Sequence, residues 1–350
     1  MNRRDFLMAG MSGAATLAVA TAAEPRANAN LGLLLYSYGM RAKADRDRGF
    51  ADPVRFLEFA HERGAIAVQV PLGIRPQDEA TDVRRTCDRL GMQVEGIVSL
   101  PKEGLADLDR LTAELATVRA CGTAIVRVVM LSGRRYEIFD KADDFATFSK
   151  RAEEALKRAD RIAEDRKVIL AVENHKDFRI DELVDVLKRI SSEWIGVCLD
   201  TGNNLALLED PLASVEALAP LTRTVHLKDI GVEESSEGFR MSEVPLGRGC
   251  FDLRLMVAAI HRANAKVVFH LEMITRDPLS IPCLTDKYWA TLERVPGRDL
   301  ARTLAQVRAS AGKEPLPRIT TLPVGEQLAI EDQNVLESFE YAARVGLIPA

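Results

Sequence analysis

The chain has 350 residues, but it contains no Cys-x-x-Cys pair, no Gly-x-Gly-x-x-Gly turn after its first apolar run, and no clustered Lys and Arg. Each absence removes a class of protein. Its five cysteines, Cys87, Cys121, Cys198, Cys250 and Cys283, are odd in number and scattered, which argues against a disulfide framework or a zinc knuckle and for single buried thiols. The missing glycine-rich turn argues against a dinucleotide site on an open doubly wound sheet. A net charge of −5 without a basic patch argues against a surface that tracks phosphates, so no nucleic-acid partner is expected. What is present is apolar content of 47%, enough to bury one large core or two smaller ones.

The first thirty residues are set apart. Asn2-Arg3-Arg4-Asp5-Phe6-Leu7, followed by a small and apolar run to Ala23, has the layout of an export signal, and its paired arginines resemble the twin-arginine type. Ala20-Thr21-Ala22 and Ala27-Asn28-Ala29 both offer small-residue cleavage patterns. The run is short for a membrane span, so a periplasmic protein, free of the membrane once the signal is removed, is expected; a retained signal anchor is the alternative.

From Leu31 onward, short β-branched runs alternate with helical segments. Leu31–Tyr38, Ala65–Pro71, Met92–Leu100 and Ala124–Leu131 read as the first four strands. Asp52 ahead of Pro53 marks a helix start, and Gly64, Gly91 and Gly122 mark helix ends. Four further strands end near Asn174, Asp200, Lys228 and Met273, the last preceded by a glycine-rich loop around Pro245–Gly249. Eight strands alternating with helices predict a (β/α)8 barrel. The division expected is signal and linker over 1–30, barrel over 31–275, and a helical extension over 276–350 packed on the barrel, with helices at 288–293, 300–311 and 334–345. Lys287, Tyr288 and Trp289 in that extension are either packing residues or a cover for the site.

The last four strands end in metal-capable side chains: Glu173-Asn174-His175, Asp200-Thr201-Gly202-Asn203, His226-Leu227-Lys228-Asp229 and His270-Leu271-Glu272. Side chains alternate along a strand, and parallel barrel strands bring their C-terminal ends to one mouth. Glu173, Asp200, His226 and Glu272 would therefore meet at one level. Three carboxylates and one imidazole suit a hard or borderline divalent ion, Mn2+ foremost, with Mg2+, Co2+ or Zn2+ as alternatives.

This order of residues resembles the xylose isomerase-like TIM barrel superfamily of sugar isomerases and epimerases, which also holds sugar-acid decarboxylases, dehydratases and endonuclease IV enzymes. The resemblance covers about residues 31–275. It implies that Glu173, Asp200, His226 and Glu272 hold one divalent ion, that Glu173 and Glu272 also move protons, and that His175, Lys228 and Arg248 contact substrate oxygens. Asn203 stands near where ketose 3-epimerases place a histidine; an amide can bind a hydroxyl but cannot titrate. Endonuclease IV sites are richer in histidine than this chain.

The expected chemistry is proton removal beside the carbonyl of a keto-sugar through an enediolate. Epimerisation or aldose–ketose isomerisation is the first outcome, and a lyase reaction by elimination, dehydration or decarboxylation is the runner-up, since both share the first step. A metal-braced periplasmic carbohydrate-binding protein is the non-enzymatic alternative. A small carbohydrate is the expected partner, and self-association into a homo-oligomer is left open.

Overall fold

The computed structural model describes residues 29–102, 104–310 and 315–349; the expected export signal lies almost wholly on residues 1–28, outside them. Eight parallel strands close a barrel: β1 (Gly32–Leu34), β2 (Ala67–Val70), β3 (Gln93–Ile97), β4 (Ile125–Val128), β5 (Ile169–Glu173), β6 (Ile195–Asp200), β7 (Thr222–Leu227) and, after an inserted hairpin, β10 (Phe269–Leu271). Neighbours follow chain order around the ring, with β10 closing between β7 and β1.

The helices start and stop where local chemistry dictates. Asp52 accepts from the Val54 and Arg55 amides at the head of Pro53–Glu62, Asp210 caps Pro211–Leu218 through Ala213, and Asp252 caps Leu253–Ala263 through Leu255. Each such cap is worth about 1 kcal/mol. Gly91 closes Gln77–Leu90 at φ 66°, a left-handed backbone that costs glycine least.

Alternation along the strands sorts the core. Val68, Val70, Val126, Val128, Leu170, Val172, Val197, Leu199, Val225 and Leu227 belong to the main apolar cluster with the helices. The opposite faces carry Gln69, Glu95, Arg127, Glu173, Thr224, His226 and His270, all buried. Barrel interiors are ordinarily filled by branched apolar side chains; here polar side chains occupy much of that space and must satisfy one another.

Three departures from the sequence reading matter. The first strand is shorter than expected, because the chain turns into a 3-10 segment at Leu35–Tyr38 and a helix at Gly39–Ala44. Ser37 holds the bend, donating to the Leu271 carbonyl at 2.9 Å and accepting from the Met273 amide at 3.0 Å. Second, ahead of the expected loop at Pro245–Gly249, where no element was assigned from sequence, the chain forms a hairpin, β8 (Asp229–Ser235) with β9 (Gly238–Val244), joined antiparallel by β11 (Leu279–Ile281). Ile230, Val232, Phe239, Met241 and Ile281 share a second apolar core with Tyr136, Tyr288 and Val307. Third, the extension's helices are Asp286–Trp289, Gly297–Ser310 and Val324–Val345, the last starting directly after Pro323 rather than at Asn334.

The extension thereby does two jobs. It adds a strand and a helix to the hairpin that follows β7, and its last helix joins the main core through Val335, Phe339 and Ala342. Glu331 on that helix accepts from the Met40 and Arg41 amides at 2.7 and 2.9 Å. Among the described residues no helix is long and apolar enough to cross a membrane.

Candidate metal centre and its polar surround

Glu173 ends β5, Asp200 ends β6, His226 sits on β7 and Glu272 follows β10 by one residue. Each offers a ligand atom within 4.8 Å of the other three. All four are buried, at 1, 2, 0 and 5% exposure. His226 Nδ1 lies 3.6 Å from Glu173 Oε2 and 3.0 Å from Glu272 Oε2.

The backbone aims these groups. Asp200 Oδ1 accepts from the Gly202 and Asn203 amides, both at 2.8 Å, so Oδ2 is left facing the cluster. Asn174 ties the ends of β5 and β6 together, donating to the Asp200 carbonyl at 2.8 Å and accepting from the Asp200 amide at 2.7 Å. Asp200 Oδ2, His226 Nδ1 and Glu272 Oε2 are buried without a hydrogen bond of usable geometry, and what stands beside them at ion-pair distance is Lys228 and one another. Buried polar atoms left so are costly unless something else satisfies them, and this set of oxygens with one imidazole nitrogen fits a divalent ion. Cys198 Sγ also lies within 4.8 Å of ligand atoms of Glu173 and His226.

Cations are interleaved with these acids. The Arg127 guanidinium meets Glu173 Oε2 through Nε and Nη2, and Asn203 Nδ2 donates to Glu173 Oε1 at 3.0 Å. Burial alone would raise the Glu173 carboxyl, but Arg127 and then His226 outweigh it and hold it at about 2. Lys228 Nζ lies 2.8 Å from Asp200 Oδ2 and 3.0 Å from Glu272 Oε2. Burial would lower that lysine, yet Asp200 and Glu272 keep it well above its ordinary value. Lys176 Nζ donates to Asn203 Oδ1; burial and then Lys228 bring it down to about 8. Arg276 binds Glu243 of β9 at 2.6 Å, and Glu243 lies 3.8 Å from Lys228 Nζ.

The other residues singled out from sequence are placed as follows. His175 is next to the cluster, its Nδ1 buried without a partner and its imidazole pushed down to about 4 by burial, hence neutral. Asn203 bridges Glu173 and the two lysines. Arg248 is turned away from the cluster toward the last helix, 2.7 Å from Glu337 and half-exposed. In the extension, Tyr288 packs on Tyr136 with ring centroids 5.4 Å apart, Lys287 pairs with Asp140 at 3.0 Å and Trp289 donates to the Cys283 carbonyl. The polar residues that sequence reasoning did not assign are Gln69, Glu95, Lys176, Glu243 and Arg276. Lone polar residues at the ends or middles of strands carry no motif, and the same holds for Arg127 within the run Ala124–Leu131.

A closed parallel barrel with a metal-capable cluster at the C-terminal ends of its strands defines the class. The family model described as Xylose isomerase-like TIM barrel matches residues 37–298, and the chain belongs to that family. It is 28% identical over 233 residues to a 3-oxo-isoapionate decarboxylase of Pectobacterium atrosepticum, covering 63% of this chain and 77% of that protein. It is 28% identical over 153 residues to SgbU of Escherichia coli K12, a proposed L-ribulose-5-phosphate 3-epimerase, covering 43% of this chain and 52% of that one. A solved structure of a xylose isomerase-like TIM barrel protein from Mycobacterium smegmatis in complex with magnesium superposes with a TM-score of 0.51 at 15% identity, over 73% of this chain and 88% of that one. These relatives fit a sugar-processing enzyme.

Proposed function

We propose that the chain is a divalent-metal-dependent lyase that decarboxylates a keto-sugar acid through an enediolate. The carrying observation is the charge inventory of the mouth. Glu173, Asp200, Glu243 and Glu272 stand against Arg127, Lys176, Lys228 and Arg276, all in mutual contact or one residue removed. Burial, opposed by Lys228, raises the Asp200 carboxyl to about 7, so it is fully ionised only beside a bound cation; four negative charges then face four positive ones. With a divalent ion added the balance tips to a surplus of two, which an anionic substrate offsets and a neutral sugar does not.

Glu173, Asp200, His226 and Glu272 would hold the ion, and the magnesium in the mycobacterial neighbour supports a hard ion, Mn2+ or Mg2+. Such an ion acts as a Lewis acid toward the substrate's carbonyl oxygen. In the reaction proposed, the bond to the carboxylate carbon breaks, its electron pair moves toward the carbonyl, and CO2 leaves. Lys176, brought near neutrality by burial, hands a proton to the resulting carbanionic carbon and regains one from solvent. Arg127 and Asn203 hold both oxygens of Glu173. Burial of the cluster excludes water while the carbanion exists. The Pectobacterium relative, named for a decarboxylase, supports this reading.

Epimerisation is the second reading, favoured by Glu173 and Glu272 approaching one cluster from different strands and by the similarity to SgbU. It requires both carboxylates to exchange protons. Glu173, fixed at both oxygens, is poorly placed for that. The export-signal layout at residues 3–23 supports a periplasmic site of action.

The test is the purified chain with Mn2+ in deuterium oxide, offered β-keto sugar acids and neutral keto-sugars. CO2 release with one deuterium on the former carboxyl-bearing carbon supports the lyase. Deuterium entering a neutral ketose without CO2 supports the epimerase, and binding without either reaction supports a carbohydrate-binding protein.

A further inference from the structure

Beneath the metal-capable cluster, a polar chain crosses the inside of the barrel. His226 Nε2 lies 2.7 Å from Gln69 Oε1, Gln69 Nε2 donates to Glu95 Oε2 at 3.0 Å, and His270 Nε2 lies 3.1 Å from the same Glu95 oxygen. These residues come from β7, β2, β3 and β10. Since β2 and β7 are not neighbours in the ring, the His226–Gln69 contact runs through the interior. Every member is at most 3% exposed.

Donor and acceptor rules fix the direction of this chain. An ionised carboxylate only accepts, so Gln69 must turn its amide nitrogen to Glu95 and its carbonyl oxygen to His226. A carbonyl oxygen also only accepts, so His226 must carry a proton on Nε2. In the neutral ring, the form that can ligate a metal, the lone pair is then left on Nδ1, the atom that faces Glu173 and Glu272. We infer that Gln69, oriented by Glu95, is a positioning residue that fixes His226 in the tautomer whose Nδ1 binds the metal.

His270 flanks Glu95 from the far side at ion-pair distance. Room for it depends on Gly32, where an added Cβ would lie 2.6 Å from His270 Nδ1. Partners of this kind orient the ring and raise its basicity, and losing one costs roughly 10–100-fold in metal affinity. The inference rests on the metal-site reading above, and the experiment separates the two.

The full chain, labelled with 15N-histidine and loaded with Mg2+ or Zn2+, is read by NMR, and the metal dissociation constant is measured by chelator competition. The expected result is one ring proton on His226, carried by Nε2 and coupled to it, with Nδ1 unprotonated. In Gln69→Leu the dissociation constant should rise about 10–100-fold while the other four histidines keep their spectra. A proton on Nδ1, or wild-type affinity in a folded Gln69→Leu chain, overturns the inference. If that variant does not fold, the wild-type spectrum decides alone. A wild-type chain that binds no divalent ion overturns the metal site itself, and the inference falls with it.

Discussion

The Arg127–Glu173 pair offers the sharpest energetic test of the barrel's polar interior. Replacing Arg127 by Met keeps a long side chain but leaves the Glu173 carboxylate buried with only Asn203 and nearby His226 to answer it. Stranding one partner of a buried pair costs about 3–5 kcal/mol. The carboxyl itself gives a consistent figure: it is held at about 2 against an ordinary 4.5, which at 1.36 kcal/mol for each unit is about 3 kcal/mol. Because the folded value is depressed, this stabilisation is fully present above pH 4.5 and is lost as the pH falls toward 2. Urea unfolding in chelator at pH 7 should show the full loss for Arg127→Met, and the gap from wild type should narrow in acid. The double variant Arg127→Met/Glu173→Gln should recover much of the loss, since removing both charges leaves none stranded. A divalent ion should rescue the single variant in part. A single variant within about 1 kcal/mol of wild type at pH 7 would show that the pair does not carry the balance described here.

Glu209 provides a pH test away from the cluster. Burial, opposed by Arg179, raises it from 4.5 to about 7, so it favours folding in acid and its contribution is lost as the pH rises from 4.5 through 7, by about 3 kcal/mol. Glu209→Gln, which keeps an acceptor for the Ile180 amide, should flatten stability across that window; an unchanged slope would refute the assignment. Saturating Mn2+ at 100 times its dissociation constant should stabilise the fold by about 2.7 kcal/mol, read as a calorimetric shift that disappears in Glu272→Gln. Lys176→Met should abolish CO2 release from a keto-sugar acid while leaving Mn2+ affinity within a few-fold, and retained turnover would remove Lys176 from its role as proton donor.

How much of this was legible in the sequence depends on which signal each feature leaves. The four candidate ligands were readable because each closes a β-branched run, and because parallel strands must bring such ends to one mouth. The hairpin at Asp229–Val244 does alternate, with Ile230, Val232, Phe239 and Met241 turned to one core. Its turn, Ser235-Ser236-Glu237-Gly238, lacks the Asn-Gly or Asp-Gly pair that announces a hairpin, and the nearby Gly247 and Gly249 pull the eye toward a loop. Arg248 shows what a family resemblance leaves out. The resemblance implies a substrate contact for it, and in the structure its turn is bent by Asp229, whose carboxylate accepts from the Gly247 and Gly249 amides at 3.0 and 2.9 Å. That fold-back presents Arg248 to Glu337 instead.

The polar barrel interior was hidden for a deeper reason. Gln69, Glu95 and Arg127 each interrupt an apolar run, and from sequence such an interruption reads equally well as a strand edge, a surface turn or a site. What separates these readings is the identity of the partner, and the partners lie 26, 46 and 157 positions away in sequence. A buried charge or amide is tolerated only when those distant groups arrive together. The cost of burying them therefore ties the folding of β2, β3 and β4 to the same contacts that aim His226 and Glu173. Both sets of contacts converge on His226 and Glu173, but they differ in what is lost: Arg127→Met strands a buried charge and should act chiefly on unfolding free energy, while Gln69→Leu removes the neutral acceptor that orients His226 and should act chiefly on metal affinity.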